Sequence, residues 1–560
     1  MHVITQNCCN DAACVPVCPV NCIHPTPDEP EYLSTEMLYI DPATCIDCGA
    51  CIDACPVSAI APDYELEPEQ DPFRAINAQW YADEAHRGYP TSQPLEPART
   101  TPAGAGPLRV AIVGAGPAGC YAAEHLTAQR SLDVQVNLFE RLPAPGGLVR
   151  YGVAPDHQST KEIADALTRV LSRRGVAMHL NVAAGTDITH EQLLAHHHAV
   201  IYAVGAAGSR QLGIPGDDLP GNHSAAEFVA WYNGHPDTAE REFDLSGERA
   251  VVVGNGNVAL DIARVLLTDV DRLRHTDIAE HALQRLAESR IREVVVLGRR
   301  GPAQASFTIA EFTGLRSTPG IAVLARRDET PLDPVTCQLL AGREHSMARY
   351  KAKLVQELAD APPDARRRVV LRFLVSPERI LGPDRVAGVQ VVRNKLVARD
   401  GHGVARPTED VETIGCGLVL RSIGYHGKAV EGVPFDVAAG VIPNQAGRVV
   451  RHHEGRTEII RGVYATGWIK RGPSGVIGTN KKCATDTVTA VLEDHLNGRL
   501  ATPVGDQKSL QRILAASREL DLSGWKAIDD YERRQGKAVS RPRLKLVNVD
   551  AMLEVAGRRG

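Results

Sequence analysis

Cysteines 45, 48, 51 and 55, the last followed by Pro56, form a C-x2-C-x2-C-x3-C-P run. No other feature restricts the fold so tightly, because that spacing belongs to thiolates wrapped around cubane iron–sulfur clusters. The first three cysteines each take a corner of one cluster, and the one before the proline reaches across to a second. The other half of the pattern lies upstream, as Cys8-x2-Asp11-x2-Cys14-x3-Cys18-Pro19. Crossed ligation then assigns Cys18, Cys45, Cys48 and Cys51 to one 4Fe–4S cluster. Cys8, Cys14 and Cys55 hold the other, with Asp11 as an optional fourth ligand. A carboxylate is a harder ligand than a thiolate, so this second cluster is expected as 3Fe–4S, or as 4Fe–4S closed by Asp11 or water. Cys9 could replace Cys8 in a shifted loop, and Cys22 is left over. Zinc ribbons pair C-x2-C motifs instead, and disulfide frameworks belong to small exported scaffolds.

Nine of the 13 cysteines fall in the first 55 residues, and the start carries no basic and apolar leader. No run of 18 apolar residues occurs, so no membrane-spanning helix is expected. Iron-binding thiols and a leaderless start predict a cytoplasmic protein. Charge is divided along the chain. The first 73 residues hold 13 of the 68 acids and none of the 62 Lys and Arg. An acidic carrier on a basic body predicts electrostatic docking within the chain.

Residues 1–65 read as an α+β module of short strands and two cluster loops, and 66–107 as a linker ending in the Pro/Gly/Thr-rich stretch Gly88–Pro107. From Leu108 the pattern alternates β-branched runs, glycines and helical segments, which signals α/β dinucleotide-binding (Rossmann-like) domains. The first strand runs into Gly114-x-Gly116-x-x-Gly119, and the next ends in Glu140, 21 residues later. The glycines give a tight turn, close approach to a pyrophosphate and close helix packing, and the acid suits a ribose without a 2′-phosphate. The second unit has Gly254-x-Gly256-x-x-Ala259, and its following strand ends in Arg299-Arg300. Two guanidiniums there can clamp a 2′-phosphate, so this site is expected to prefer NADP(H) over NAD(H). One FAD-type and one NADP-type site make a flavin reductase. No C-x4-C pair follows the first glycine motif, so electrons leave the flavin toward iron–sulfur rather than a disulfide.

Six segments now match one family in order: VAIVGAGPAG, FERLPAPGGLVRYGVAPDH, VVGNGNVALDIAR, LGRRGPAQASFT, RSIGY and YATGWIKRGPSGVIGTNK, over about 370 residues. From Leu108 the chain resembles the adrenodoxin-reductase-like ferredoxin–NADP+ reductases, and with its N-terminal module it resembles the bacterial fused ferredoxin/ferredoxin–NADP+ reductases. The resemblance implies FAD contacts from Ala115, Glu140, Leu148, Gly475, Val476 and Ile477, with Ala184 a weaker match. It implies NADP(H) contacts from Asn255, Gly256, Asn257, Val258, Arg299, Arg300 and Glu311. Trp468 and Gly475 would lie beside the isoalloxazine, and His157 and Asp261 would hold geometry or relay protons. The flavin domain is expected at 108–207 and 411–560, with the NADP domain inserted at 208–410.

The expected activity is hydride transfer between NADPH and FAD, followed by single-electron exchange with the clusters of the fused ferredoxin or of a separate one. Downstream acceptors such as monooxygenases are expected, and neither nucleic acid nor a membrane. An electron-input subunit similar to the glutamate synthase small subunit, and a redox sensor built on the Asp11 cluster, are the alternative readings. No strongly basic stripe supports a sensor that reads nucleic acid.

Overall fold

The computed structural model describes residues 1–89, 107–129, 132–342, 345–358, 366–453 and 455–557. Most of the expected Gly88–Pro107 linker therefore lies outside the described residues. The N-terminal module is built on two short antiparallel pairs, His2–Ile4 with Ile60–Pro62 and Ile23–His24 with Tyr39–Ile40. Strands this short cannot hold a core alone, and the module borrows a helix, Pro72–Trp80, to complete one. Phe73, Ile76 and Trp80 recur at helical spacing and bury against Val3, Tyr39 and Ile40. Trp80 stacks between Tyr39 and His86, with ring centroids at 5.3 and 3.8 Å. Part of the expected 66–107 linker, from Leu66 to Tyr89, thus packs against the module.

The first α/β body centres on a seven-stranded sheet. Its parallel portion runs Arg456–Ala465, Ala199–Tyr202, Leu108–Val113, Val134–Glu140, Val176–Leu180. An antiparallel extension, Arg448–His453 and Asn444–Gln445, continues from Arg456–Ala465. Ala199–Tyr202, the middle strand of the seven, is buried along its whole length, as a sheet covered by helices on each side requires. The second body has a six-stranded parallel sheet: Asn222–Ser224, Leu418–Arg421, Arg249–Val253, Glu293–Leu297, Arg368–Arg372, Ala322–Ala325. A three-stranded antiparallel sheet from 375 to 415 packs beside it. Leu418–Arg421 lies beyond the boundary expected at 410, yet it pairs inside the second body. The crossing lies instead where Tyr425–His426 pairs antiparallel with Gly208–Ser209. Among the described residues no helix is long and apolar enough to cross a membrane.

Candidate functional site: two nucleotide cradles and two cysteine sets

The strand Leu108–Val113 delivers Gly114 at φ +110°, where a Cβ would stand 2.5 Å from the Ala203 carbonyl oxygen. A Cβ on Gly119 would lie 1.9 Å from the Gly114 carbonyl oxygen, so helix and strand meet as closely as backbones can. Gly116 faces the Cα of Gly147. The result is a bare backbone cradle at the N-terminus of the helix Pro117–Thr127, suited to a pyrophosphate. Glu140 ends the adjacent strand and accepts the Ala115 amide (2.9 Å) and the Leu142 amide (3.1 Å). Burial pushes its carboxyl above the usual range. Leu148 opens a short helix with its side chain partly exposed, beside Gly147 at the cradle. Ala184 packs with Val113, Phe139 and Val182 under the same strand ends. Trp468 donates its indole N–H to the Ser474 carbonyl (3.0 Å) and leans on Tyr425, which shapes the loop through Gly475, Val476 and Ile477.

The second cradle repeats the construction. Gly254 sits at φ +106°, with a Cβ excluded by the Ser422 carbonyl oxygen at 2.1 Å. Asn255 accepts the Ser306 amide (3.3 Å), and Asn257 accepts the Thr308 amide (2.7 Å). These bonds tie the loop through Gly256 and Val258 to the segment after Arg300. Parallel register places Val253 beside Leu297, so Arg299 and Arg300 follow at the same sheet end as Gly254. Among the described residues neither guanidinium has a carboxylate partner. Burial and the Arg299 charge together lower the affinity of Arg300 for its proton. Two adjacent unneutralised cations on a nucleotide loop fit a phosphate dianion.

Between the bodies lies a buried ionic cluster centred on Arg264, which is 4 % exposed. Arg264 donates to Asp156 (2.6 Å), Asp261 (2.6 Å), His157 Nε2 (2.7 Å) and Glu311. Asp156 is held down to about 2: burial opposes this, and Arg264 more than offsets it. Burial and the nearby Glu311 raise the Asp261 carboxyl well above its ordinary value. Burial lowers His157 despite the Glu311 charge. The cluster sets one guanidinium among three carboxyl groups and an imidazole. Carboxylates and imidazole here lie close enough to hold a metal ion, but the guanidinium already supplies the positive charge.

The cysteines form two groups. Cys8, Cys9, Cys14 and Cys55 line one pocket with Asp11. Cys18, Cys45 and Cys48 surround Cys51 as its electrostatic neighbours. Backbone N–H groups already point at sulfur: Ala59 donates to Cys55 and Cys22 to Cys18, both at 3.3 Å. The Cys22 thiol lies 3.4 Å from Cys18. All of these fit thiolate ligation of iron, with backbone donors to stabilise the charge.

Residues 6–59 match the 4Fe-4S dicluster domain, and residues 108–296 match the pyridine nucleotide-disulphide oxidoreductase family. A probable ferredoxin/ferredoxin–NADP reductase of Mycobacterium tuberculosis is 47 % identical over 99 % of this chain and 95 % of its own length. The chain belongs to the ferredoxin/ferredoxin–NADP reductase family. The solved structure of Mycobacterium tuberculosis FprA in complex with NADPH is 41 % identical, covers 80 % of this chain and 99 % of its own, and superposes with a TM-score of 0.75. The mitochondrial NADPH:adrenodoxin oxidoreductase of Salvelinus fontinalis is 40 % identical over 80 % of this chain and 91 % of its own length.

For a member of this family the most telling residue is one that sequence reasoning passed over. Arg264 closes the NVALDIAR segment, three residues after Asp261, and joins every acid and imidazole singled out nearby. Its spacing from Asp261 was the available signal. Asp156, beside His157, was missed in the same way. The basic pair Lys481–Lys482 faces the acidic module, through Asp11 (3.2 Å) and Asp28 (3.5 Å). Lys470 and Arg471 instead bond within the reductase, to Thr487 and Asn480. A third cross-module ion pair joins Glu36 to Lys351 at 3.0 Å.

Proposed function

We infer that this ferredoxin–NADP+ reductase exchanges hydride between NADP(H) and FAD, and single electrons between FAD and the iron–sulfur clusters of its own ferredoxin module or of a separate one. FAD bound at Gly114–Gly119 would accept hydride as a pair and release electrons one at a time, and the clusters would carry them singly. Every other part of the work falls to the chain. Glu140 stiffens the flavin loop by accepting two of its amides and is placed for ribose hydroxyls. Asn255–Val258 present the N-terminus of the helix Asn257–Leu267 to a pyrophosphate. Arg299 and Arg300 take the 2′-phosphate, which NADH lacks. Trp468 and the Gly475–Ile477 loop shield the reacting rings from water. His157, Asp261 and Glu311, fixed by Arg264, set the approach of the nicotinamide, because hydride transfer demands near-contact geometry. Asp261, its carboxyl raised by burial and by Glu311, is the group we assign to relay a proton there.

Cys18, Cys45, Cys48 and Cys51 would hold a 4Fe–4S cluster, and Cys8, Cys14 and Cys55 a 3Fe–4S or 4Fe–4S cluster. Thirteen unpaired cysteines fit a reducing compartment, and we assign the cytoplasm. A separate ferredoxin or a monooxygenase is the class of acceptor we assign downstream. The observation that carries the reading is the contrast between the cradles: one is followed by an acid, the other by two arginines without a carboxylate partner among the described residues. Anaerobic NADPH titration, followed by visible absorbance and electron paramagnetic resonance, tests it. The expected result is flavin bleaching with the appearance of reduced-cluster signals. A flavin that never bleaches, or bleached flavin beside unchanged iron, refutes it.

A further inference from the structure

The first cysteine loop of the module does not hang from a tether. It is seated on the loop that closes the flavin site. The Gly478 amide donates to the Cys9 carbonyl at 2.7 Å. A Cβ on Gly478 would stand 1.8 Å from the Asn10 carbonyl oxygen, so at an ordinary φ of −71° this position is glycine because the module's backbone fills the space. Cys9, Val57 and Ala59 join one apolar cluster with Ala118, Tyr121 and Ala122 of the flavin-loop helix, and Ile477 packs against it. The second cysteine set lies away from this seam: Cys48 is exposed, and Cys18, Cys45 and Cys51 have no part in that cluster.

Asp11 is 8 % exposed and lies in the seam. Its Oδ2 accepts the Tyr121 hydroxyl at 3.3 Å and pairs with Lys481 at 3.2 Å, while Oδ1 accepts the Ala13 amide at 3.0 Å. The Lys481 ammonium also stands 5.8 Å from the centre of the Tyr121 ring. Both carboxylate oxygens are thus engaged by donors of the protein, two of them on the reductase.

We propose that Asp11 is a positioning residue rather than an iron ligand: with Lys481, Tyr121 and Gly478 it latches the first cysteine loop onto the flavin loop. The inference rests on the electron-transfer reading and adds which cysteine set meets the flavin and what holds it there. A carboxylate at that place in the cysteine run serves the interface, and the cysteine set beside it is the inlet for charge from the flavin. The set containing Cys48 is the outlet toward other proteins.

Hydrogen exchange on the cluster-loaded, flavin-loaded protein tests the latch without any turnover. In Lys481→Met, amides of residues 6–12 and 476–482 are expected to exchange roughly tenfold faster or more, the effect of losing a charge-assisted bond. Lys481→Arg restores protection, and Lys482→Ala, on the exposed pair with Asp28, leaves the loops near wild type. In stopped flow, Lys481→Met keeps its flavin reduction by NADPH but slows the cluster absorbance change that follows. Asp11→Asn is expected to loosen the same amides while the cluster's paramagnetic signal stays wild type. Wild-type exchange in Lys481→Met, or an altered signal in Asp11→Asn with unchanged exchange, overturns the latch. A wild-type flavin that NADPH cannot bleach would instead sink the functional reading and leave the exchange result standing.

Discussion

Replacing Arg299 and Arg300 by alanine, singly and together, isolates the choice between NADPH and NADH. Neither side chain is neutralised by a carboxylate among the described residues, so removing it exposes no new unpaired acid. A charged hydrogen bond contributes about 1.5–3 kcal/mol, and each 1.4 kcal/mol is tenfold in an equilibrium constant. Arg299 is exposed and screened, which places it near the low end, at about tenfold. Arg300 is half-buried and raised in energy by its neighbour, so its pairing with a dianion is expected nearer 30-fold to about 100-fold. The double variant should lower the NADPH-to-NADH ratio of kcat/KM by roughly 10²–10³. The 2′-phosphate is remote from the reacting carbon and contributes equally before and during hydride transfer, so the loss should fall in KM for NADPH. Constants for NADH should stay within about twofold. Steady-state reduction of an artificial acceptor with both nucleotides measures this. A ratio changed by less than about fivefold, or a loss residing in kcat, would show that the phosphate binds elsewhere.

Arg264→Met leaves Asp156 and Glu311 buried without their cation and should destabilise the fold by about 3–5 kcal/mol at pH 7, read by denaturant unfolding. In the wild type, Asp156 at about 2 instead of 3.8 contributes roughly 2.4 kcal/mol, present in full above pH 4 and lost as pH falls toward 2. In the variant these acids titrate upward, so its deficit should shrink between pH 7 and pH 5; a constant deficit would refute the ionic account. Gly119→Ala forces a methyl onto the Gly114 carbonyl. It should yield protein that has lost its bound flavin, checked by the 450 nm band per chain. Trp80→Ala opens a cavity between Tyr39 and His86 and should cost about 3–5 kcal/mol. Faster loss of iron on heating, with flavin retained, would place residues 66–89 in the ferredoxin module.

Much of this was legible from local spacing. Cysteine intervals, glycine motifs and the acid or arginine after the next strand are set by covalent reach and loop geometry, so they survive as short patterns. The helix Pro72–Trp80 was hidden because Phe73, Ile76 and Trp80 are its only large apolar residues. The boundary at 410 went astray because Leu418–Arg421 reads as a strand without saying which sheet it joins. Arg264 left one local trace, its three-residue spacing from Asp261, but its bonds to Asp156, His157 and Glu311 and the Asp11 seat join residues 47 to 470 apart. No local pattern encodes such distances, so they emerge only when the chain is folded.

The paired strands Gly208–Ser209 and Tyr425–His426 carry both covalent crossings between the two α/β bodies side by side. Two adjacent strands make a narrow waist: a rotation of the second body about them would leave both sheets intact but would break ion pairs such as Arg264–Asp156 and Lys161–Asp277. The ferredoxin module grips both sides of that waist: Cys9 and Asp11 hold Gly478 and Lys481, while the Glu36 carboxylate accepts the Ile309 amide at 2.7 Å and Gln6 reaches Glu311. Any swing that admits or expels nucleotide must therefore either peel Glu36 and Gln6 away or drag the cluster carrier along. In such a swing nucleotide traffic and carrier position would be geared to one another, a coupling that a reductase served by a freely diffusing ferredoxin would lack.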